Sequence, residues 1–345
     1  VGKYNIGCTA GIESNIAPGD WIEGCNRMNL ILGSSKHTID VLKNSKWEKR
    51  DKQTNQPQGM LEWNGENEII FEGANTDVYK PVKSTFDLSN IKEDFAYLFV
   101  GHWMEGHMGE DRKNVGLLIK AFYETFKNKS KKPALILKTS TVGSSYLDRD
   151  RILKRVKQIK DSCKSNNLPN VYLLHGEFSD EEINEIYNHS KVKAMVNLTK
   201  GEGFGRPLLE FSLVNKPIIA SNWSGPVDYL NPEFTTLLQG TMTKIHPSAA
   251  NHMLLADAEW FSVDTGHVGH YLKDVFENYK GYAENAKRQG FQSRSKFSYE
   301  AMKEKLGKLF EEKIPEFPKQ IQLKLPQLKK IELPKLKKIE LPKLK

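Results

Sequence analysis

Short apolar runs alternate along this chain with longer segments in which apolar residues return every three or four positions, the mark of repeated strand–helix units. Near the start, Tyr4–Cys8 and Leu30–Gly33 read as strands, and Ser34-Ser35 caps a helix that runs to about Asn44. Residues 46–66 are polar and rich in Lys, Gln and Asn, which predicts a surface excursion, and Glu68–Phe71 is a further strand. From 80 to 94 neither period is present, so the stretch reads as an interdomain linker. Beyond it lie strand candidates Phe95–Val100, Ala134–Lys138, Val171–Leu174, Val192–Asn197 and Pro217–Ala220. Helix candidates Lys113–Lys127, Asp148–Ser165, Asp180–His189 and Pro207–Val214 fall between them, which predicts a parallel, doubly wound sheet. Helical segments continue from Gly266 to Phe310. The expected organisation is an N-terminal α/β unit over 1–82, a linker over 83–94, a larger α/β unit over 95–312 and a tail over 313–345.

Composition changes this picture mainly at the tail. The formal charge is +8, but residues 313–345 hold ten lysines against three glutamates and so carry +7 of it. The body is close to neutral, which argues against a nucleic-acid partner. The tail repeats with a period of eight, as Leu325–Glu332 and then Leu333–Glu340, and a proline in every repeat forbids a long helix. An extended low-complexity arm is expected, with contact to anionic lipid or polymer surfaces as the alternative. Cys8, Cys25 and Cys163 are scattered without a CxxC, which suits a reducing, cytoplasmic setting, peripheral to a membrane surface if the tail binds one. No apolar run approaches the roughly 18 residues of a membrane span.

The densest chemistry lies in Lys200–Glu210, with sequence KGEGFGRPLLE. A strand precedes it, and Pro207 stands where a helix would begin, a position that tolerates a missing N–H. Strand, glycine loop and helix start together expose backbone N–H groups and a positive dipole end, which suit a phosphate or a sugar oxygen. Glu202 and Glu210 flank this loop. They read as a general acid/base pair, as carboxylates for sugar and ribose hydroxyls, or as plain helix-start acids. The glycines around Phe204 favour the functional readings, since a plain cap does not need them.

Upstream, Arg112 and Lys113 stand at a helix start, where cations oppose the dipole and need an anion. A diphosphate would supply it, and so would Glu110 and Asp111. Lys138 ends a strand at the carboxyl edge, where open α/β sheets bind ligands. Asp148-Arg149-Asp150 has the Asp-x-Asp pattern of some metal sites but precedes a helix, where acids are favourable anyway. His102/His107 and His267/His270 lack a third ligand at workable spacing, so no metal site is expected.

At this point the residues resemble a family. Gly201–Glu210 is similar to the Glu-x7-Glu signature of the retaining group-one glycosyltransferases, which are nucleotide-sugar enzymes of two facing Rossmann-like domains, the GT-B architecture. Arg112–Asn114 with Leu117 and Ala121-Phe122, His175–Glu182, Pro217–Ser221, Gly225–Asp228 and Gly73–Asp77 extend the likeness over most of 68–231 in the right order. The resemblance implies that Lys113, with Arg112, holds the donor diphosphate and that Glu202 contacts the donor sugar. It places the backbone of Gly203, Phe204 and Gly205 near sugar oxygens, Pro207 and Leu208 against phosphate and ribose, and Glu210 on the ribose hydroxyls. The Gly176, Glu177 and Phe178 loop would flank the base.

The resemblance further implies a UDP- or GDP-sugar donor, a glycan, lipid or other hydroxyl acceptor, retention of configuration, and no cofactor beyond the nucleotide sugar. Metal independence follows because cationic side chains neutralise the leaving diphosphate. Two departures stand out. His102 occupies a place where the family commonly has Arg, for which Arg112 or Arg206 would substitute. The acceptor-side domain is also short, as if its opening strands were missing, with Gly11 or Glu13 where relatives often place a His. A non-catalytic sugar-nucleotide or glycan-binding module is therefore the alternative. A phage-type DNA glucosyltransferase is a third reading, which the near-neutral body opposes.

Overall fold

The computed structural model describes residues 2–317, apart from 52 and 142. The repeat tail and its expected contact with anionic surfaces lie outside the described residues. The chain begins with β1 (Ile6–Thr9), α1 (Gly19–Cys25), β2 (Leu30–Gly33) and α2 (Lys36–Asn44), then β3 (Trp47–Arg50), β4 (Pro57–Leu61) and β5 (Asn67–Ile69). β1, β2 and β5 form a three-stranded parallel sheet in the order β1-β2-β5. The 46–66 segment is more than a surface excursion. β3 and β4 pair as a hairpin, and Leu61 and Trp63 are buried in the first core with Ile22, Ile39 and Leu42. Two aromatic or aliphatic anchors among many polar residues were enough to tie it down.

A second sheet follows. Its strands are β6 (Ala96–Val100), β7 (Ala134–Lys138), β8 (Val171–Leu174), β9 (Val192–Asn197), β10 (Ile218–Ser221) and β11 (Thr236–Leu238). They run parallel in the order β11-β10-β9-β6-β7-β8, the doubly wound arrangement. Between them lie α3 (Val115–Phe126), α4 (Tyr146–Asp161), α5 (Asp180–Asn188) and α6 (Arg206–Ser212). The hairpin of β12 (Gly240–Lys244) and β13 (Glu259–Val263) precedes α7 (Thr265–Glu277), α8 (Tyr279–Lys296) and α9 (Tyr299–Lys313).

Alternation along β6 explains the two layers. Ala96, Leu98 and Val100 enter one core with Ile186, Leu208 and Phe211 of α5 and α6, while Tyr97 and Phe99 enter the other with Leu118, Phe122 and Leu272 of α3 and α7. A strand buried on both faces reads as a continuous apolar run, which is why these strands were legible.

The segment before β6 has no regular structure and lies on the second unit. Leu88 and Ile91 are buried there, and the Val82 and Thr85 N–H groups donate to Asn188 and Glu185 at 3.0 and 2.6 Å. α9 crosses in the other direction. Its Leu309 packs with Leu30 and Leu32 of β2, so the end of the 95–312 segment helps to cover the first sheet.

Candidate active site at the switch point of the second sheet

From β6 the chain proceeds to β7 and β8 on one side and then returns to β9 on the other. The crevice beyond the carboxyl ends of β6 and β9 is thus the topological switch point, where open α/β sheets bind ligands. Sequence-distant groups meet there. Lys113 Nζ, on the loop after β6, bonds Glu202 Oε1 on the loop after β9. Arg112 Nη1 donates to Glu202 Oε2 at 3.3 Å and to the Gly201 carbonyl at 2.9 Å.

Lys113 and Glu202 are both buried. Burial pushes the Glu202 carboxyl up, but Lys113 and Arg112 outweigh it and hold the pKa down at about 2. Burial lowers the Lys113 pKa, an effect that Glu202 opposes. A charged pair therefore persists at neutral pH.

Local structure fixes this arrangement. Asn114 adopts a left-handed conformation with φ 56°, and buried Asp111 accepts the Val115 N–H at 3.1 Å to start α3. The Lys200 N–H donates to the Arg112 carbonyl at 2.8 Å, and Lys200 Nζ donates to the Gly109 carbonyl at 2.6 Å. Lys200 Nζ also lies 4.6 Å over the Trp260 ring. Sequence reading passed over Lys200, since nothing in its neighbours announces that it ties two loops together. Ser224 was missed too. Its Oγ accepts the Glu202 N–H at 3.0 Å.

The glycine loop has a different reason for its composition from the one sequence suggested. A Cβ on Gly201 would lie 1.9 Å from the Glu13 carbonyl oxygen, and one on Gly203 would lie 1.5 Å from that of Ala10. These two positions admit the N-terminal segment rather than a ligand alone. Gly205 is needed for its φ of 89° at the start of α6. The Phe204 side chain is buried against Tyr229, and Leu208 sits in the core, so only their backbone can face the cleft. Pro207 lies in the first turn of α6. Among the described residues the N–H groups of Gly203, Phe204 and Gly205 have no hydrogen-bond partner.

Glu210 is also buried, which raises its pKa, and Arg206 Nη2 offsets this with a hydrogen bond at 3.1 Å. Arg206 points toward a cleft of about 640 Å³, lined also by Glu72, Tyr79 and Asp180, with the Tyr79 hydroxyl donating to Asp180 at 3.0 Å. Arg206 is therefore committed to Glu210 and Glu72 and does not stand in at the place of His102. His102 Nδ1 pairs instead with the Ser140 hydroxyl at 3.1 Å. Burial and the nearby charges of Lys113, Lys138 and Arg112 lower its pKa, which identifies it as a neutral member of the same cluster.

Lys138 Nζ lies 5.5 Å over the Phe178 ring, beside Gly176, whose φ is 144°, and the exposed Glu177. His175 and Asp148 hold this loop from below. His175 Nε2 donates to Asp148 Oδ2 at 2.9 Å, the Thr141 N–H donates to the same oxygen at 3.0 Å, and the Thr141 hydroxyl donates to Oδ1. Both oxygens of Asp148 are thus engaged in holding this loop. Among the described residues, no group of three or more His, Cys, Asp or Glu side chains could hold a metal ion.

Residues 92–251 match the sequence model of the family described as Glycosyl transferases group 1. They contain the loops after β6, β7, β8 and β9 that build this site. No curated protein sequence matches the chain. Among solved structures, sucrose-phosphate synthase from Thermosynechococcus elongatus is similar with a TM-score of 0.57 at 16% identity, over 85% of this chain and 60% of that one. This chain therefore spans less than two thirds of that protein's length. A glycosyltransferase from Rickettsia africae gives 0.60 at 13% identity, over 90% and 71%. Anabaena HepE, solved in complex with UDP and glucose, gives 0.59 at 14% identity, over 89% and 71%. At these identities the likeness establishes a shared GT-B fold. Among the described residues no helix is long and apolar enough to cross a membrane.

Proposed function

We propose that this protein transfers a hexose from a UDP- or GDP-sugar to the hydroxyl of a glycan, lipid or other acceptor, with retention of anomeric configuration. The observation that carries this reading is the convergence of Arg112, Lys113 and Glu202 at the switch point, within the segment that matches the family. As the bond from the anomeric carbon to the diphosphate breaks, negative charge gathers on the leaving phosphate. Two fixed cations in a buried site stabilise that charge without reorganising. Glu202 satisfies both of them, and a bound diphosphate would take up part of their charge and leave Glu202 to meet sugar hydroxyls.

The N–H groups of Gly203, Phe204 and Gly205 are available to phosphate or sugar oxygens beside Pro207 and Leu208. Glu210, oriented by Arg206, suits ribose hydroxyls, and Lys138 with Gly176, Glu177 and Phe178 suits the base. Metal independence belongs to the same proposal, because Arg112 and Lys113 supply the neutralising charge.

The test is thermal stability with UDP-glucose and GDP-mannose. One of them should raise the melting temperature, and Glu210→Ala should remove much of the shift. Activity on a glycan acceptor should survive a chelator. Absence of a shift with either donor would overturn the reading.

A further inference from the structure

The N-terminal segment carries a strained residue that the proposed reaction leaves unexplained. Ile12 is buried and β-branched, yet its φ is 146°. Such residues avoid this region, and strain of this kind persists only where its surroundings enforce it. Here the enforcement is visible on both sides. The Glu13 and Ala10 carbonyls press against Gly201 and Gly203, where no Cβ could fit. His37 Nε2 donates to the Ile12 carbonyl at 3.1 Å, while burial lowers the His37 pKa to about 4, so the imidazole is neutral. The Asn15 N–H donates to the Glu259 carbonyl at 2.9 Å and anchors the segment further on.

The outcome is that the Glu13 carboxylate faces Arg112, with Oε1 3.8 Å from Nη2. Arg112 and Lys113 then carry two positive charges against Glu202 and Glu13. Each of those two cations then has a carboxylate within 4 Å, Glu202 for both and Glu13 for Arg112 as well. We propose that Glu13 is a specificity-determining residue of the donor site: it lowers the positive charge of the cluster, and with it the site's preference for the more highly charged free nucleoside diphosphate over the esterified diphosphate of a nucleotide sugar. This rests on the diphosphate lying at Arg112 and Lys113.

The physical basis is the terminal phosphate. Once the sugar has left, that phosphate gains an ionisation with a pKa of about 6 and carries more negative charge at neutral pH than the ester did. Coulomb attraction to the site scales with that charge. A site with an excess of cations would hold the product more tightly than the substrate. Glu13 reduces that excess, and the strained turn is what brings a carboxylate from the first unit to the cations of the second.

The experiment is calorimetric titration of the full chain and of Glu13→Gln and Glu13→Ala with UDP and UDP-glucose, and with GDP and GDP-mannose. Both variants should bind the nucleoside diphosphate roughly two- to fivefold tighter, in keeping with the worth of a partly exposed ion pair. They should bind the nucleotide sugar with a smaller gain. Agreement between the two variants assigns the effect to charge, because one preserves shape and the other does not. Equal gains for both ligands, no change, or weaker binding would overturn the inference while leaving the donor site intact. If the unaltered protein binds none of the four, or if Lys113→Ala leaves binding unchanged, the donor-site reading itself fails and this inference falls with it.

Discussion

The two sheets of this molecule differ in how they are completed. The second sheet buries both faces with helices from its own sequence neighbourhood: α3, α4 and α7 on one side, α5 and α6 on the other. The first sheet has three strands and draws on distant chain for cover, with Leu309 of α9 packed on Leu30 and Leu32. The second unit accordingly supplies Arg112, Lys113 and Glu202 of the ion cluster from loops that follow β6 and β9, and the first unit adds the Glu13 carboxylate. The first unit contributes through a seam of close backbone contacts: Ala10 and Glu13 against the glycine loop, Ser34 and Ser35 hydroxyls donating to the Gly203 carbonyl at 3.2 and 2.6 Å, and the Lys36 N–H donating to Asp228 at 2.7 Å. A site can thus be centred on one unit while its environment depends on both.

The strongest way to break this contrast is at Glu202. Glu202→Gln keeps the shape but leaves Lys113 buried without its counter-charge, which costs about 3–5 kcal/mol. The pH dependence gives an independent check. A carboxyl lowered from 4.5 to about 2 stabilises the fold fully above 4.5, and that contribution is lost as pH falls from 4.5 through 2. The loss is on the order of 3 kcal/mol. Denaturant unfolding between pH 5 and 2 should show this steep acid limb in the unaltered protein and a flatter one in Glu202→Gln. Equal slopes would mean that the pair is not ionised as described.

Gly203→Ala addresses the seam without touching an ionisable group. Its added Cβ would stand 1.5 Å from the Ala10 carbonyl oxygen, so one of the two backbones must move. Overpacking of this kind costs about 1–3 kcal/mol. The expected signature is a lower melting temperature together with a larger radius of gyration in solution scattering, as the first unit draws away. A stable, compact Gly203→Ala would show that the seam is not held by this contact.

Much of the second unit was legible in the chain, and the reason is burial on two faces. Ala134–Lys138 and Val192–Asn197 are apolar or nearly so and largely buried, the half-buried edge strand Val171–Leu174 is apolar as well, and the bounds of all three in the structure agree with the sequence reading. The first unit was less legible because its anchors are sparse. Trp47, Leu61 and Trp63 are spaced among polar residues, and neither period of two nor period of 3.6 marks their hairpin. At the site, Glu202 stood out by the glycine loop around it and Lys113 as a cation at a helix start, but their direct pairing is a long-range contact that no local spacing encodes. The role of Gly201 and Gly203 escaped for the same reason. A glycine required by an approaching backbone looks identical in sequence to one required by a ligand. Likewise Glu13 was legible only as standing where relatives often place a His, and Ile12 gave no signal beyond its position in a short loop.

The smallest expected effect separates a cap from a contact across the seam. Ser35 and Ser179 are both helix N-caps, with Oγ accepting the N–H of Thr38 and of Glu182, each at 3.2 Å. Ser179 belongs to the second unit and forms a capping box with Glu182 and nothing beyond it. Ser35 does the same work for α2 and in addition donates to the Gly203 carbonyl at 2.6 Å from a fully buried position. Replacing a cap by alanine costs about 1 kcal/mol. Ser35→Ala also removes a buried donor and leaves that carbonyl with only Ser34, at 3.2 Å, which adds about another 1 kcal/mol. The difference between the two variants in chemical denaturation therefore reports the hydrogen bond between the units together with the buried Ser35–Thr38 hydroxyl pair at 3.1 Å, with the cap cancelled out. Equal losses for Ser35→Ala and Ser179→Ala would reduce the seam to backbone packing alone, and the first unit would then owe its placement to the carbonyls of Ala10 and Glu13.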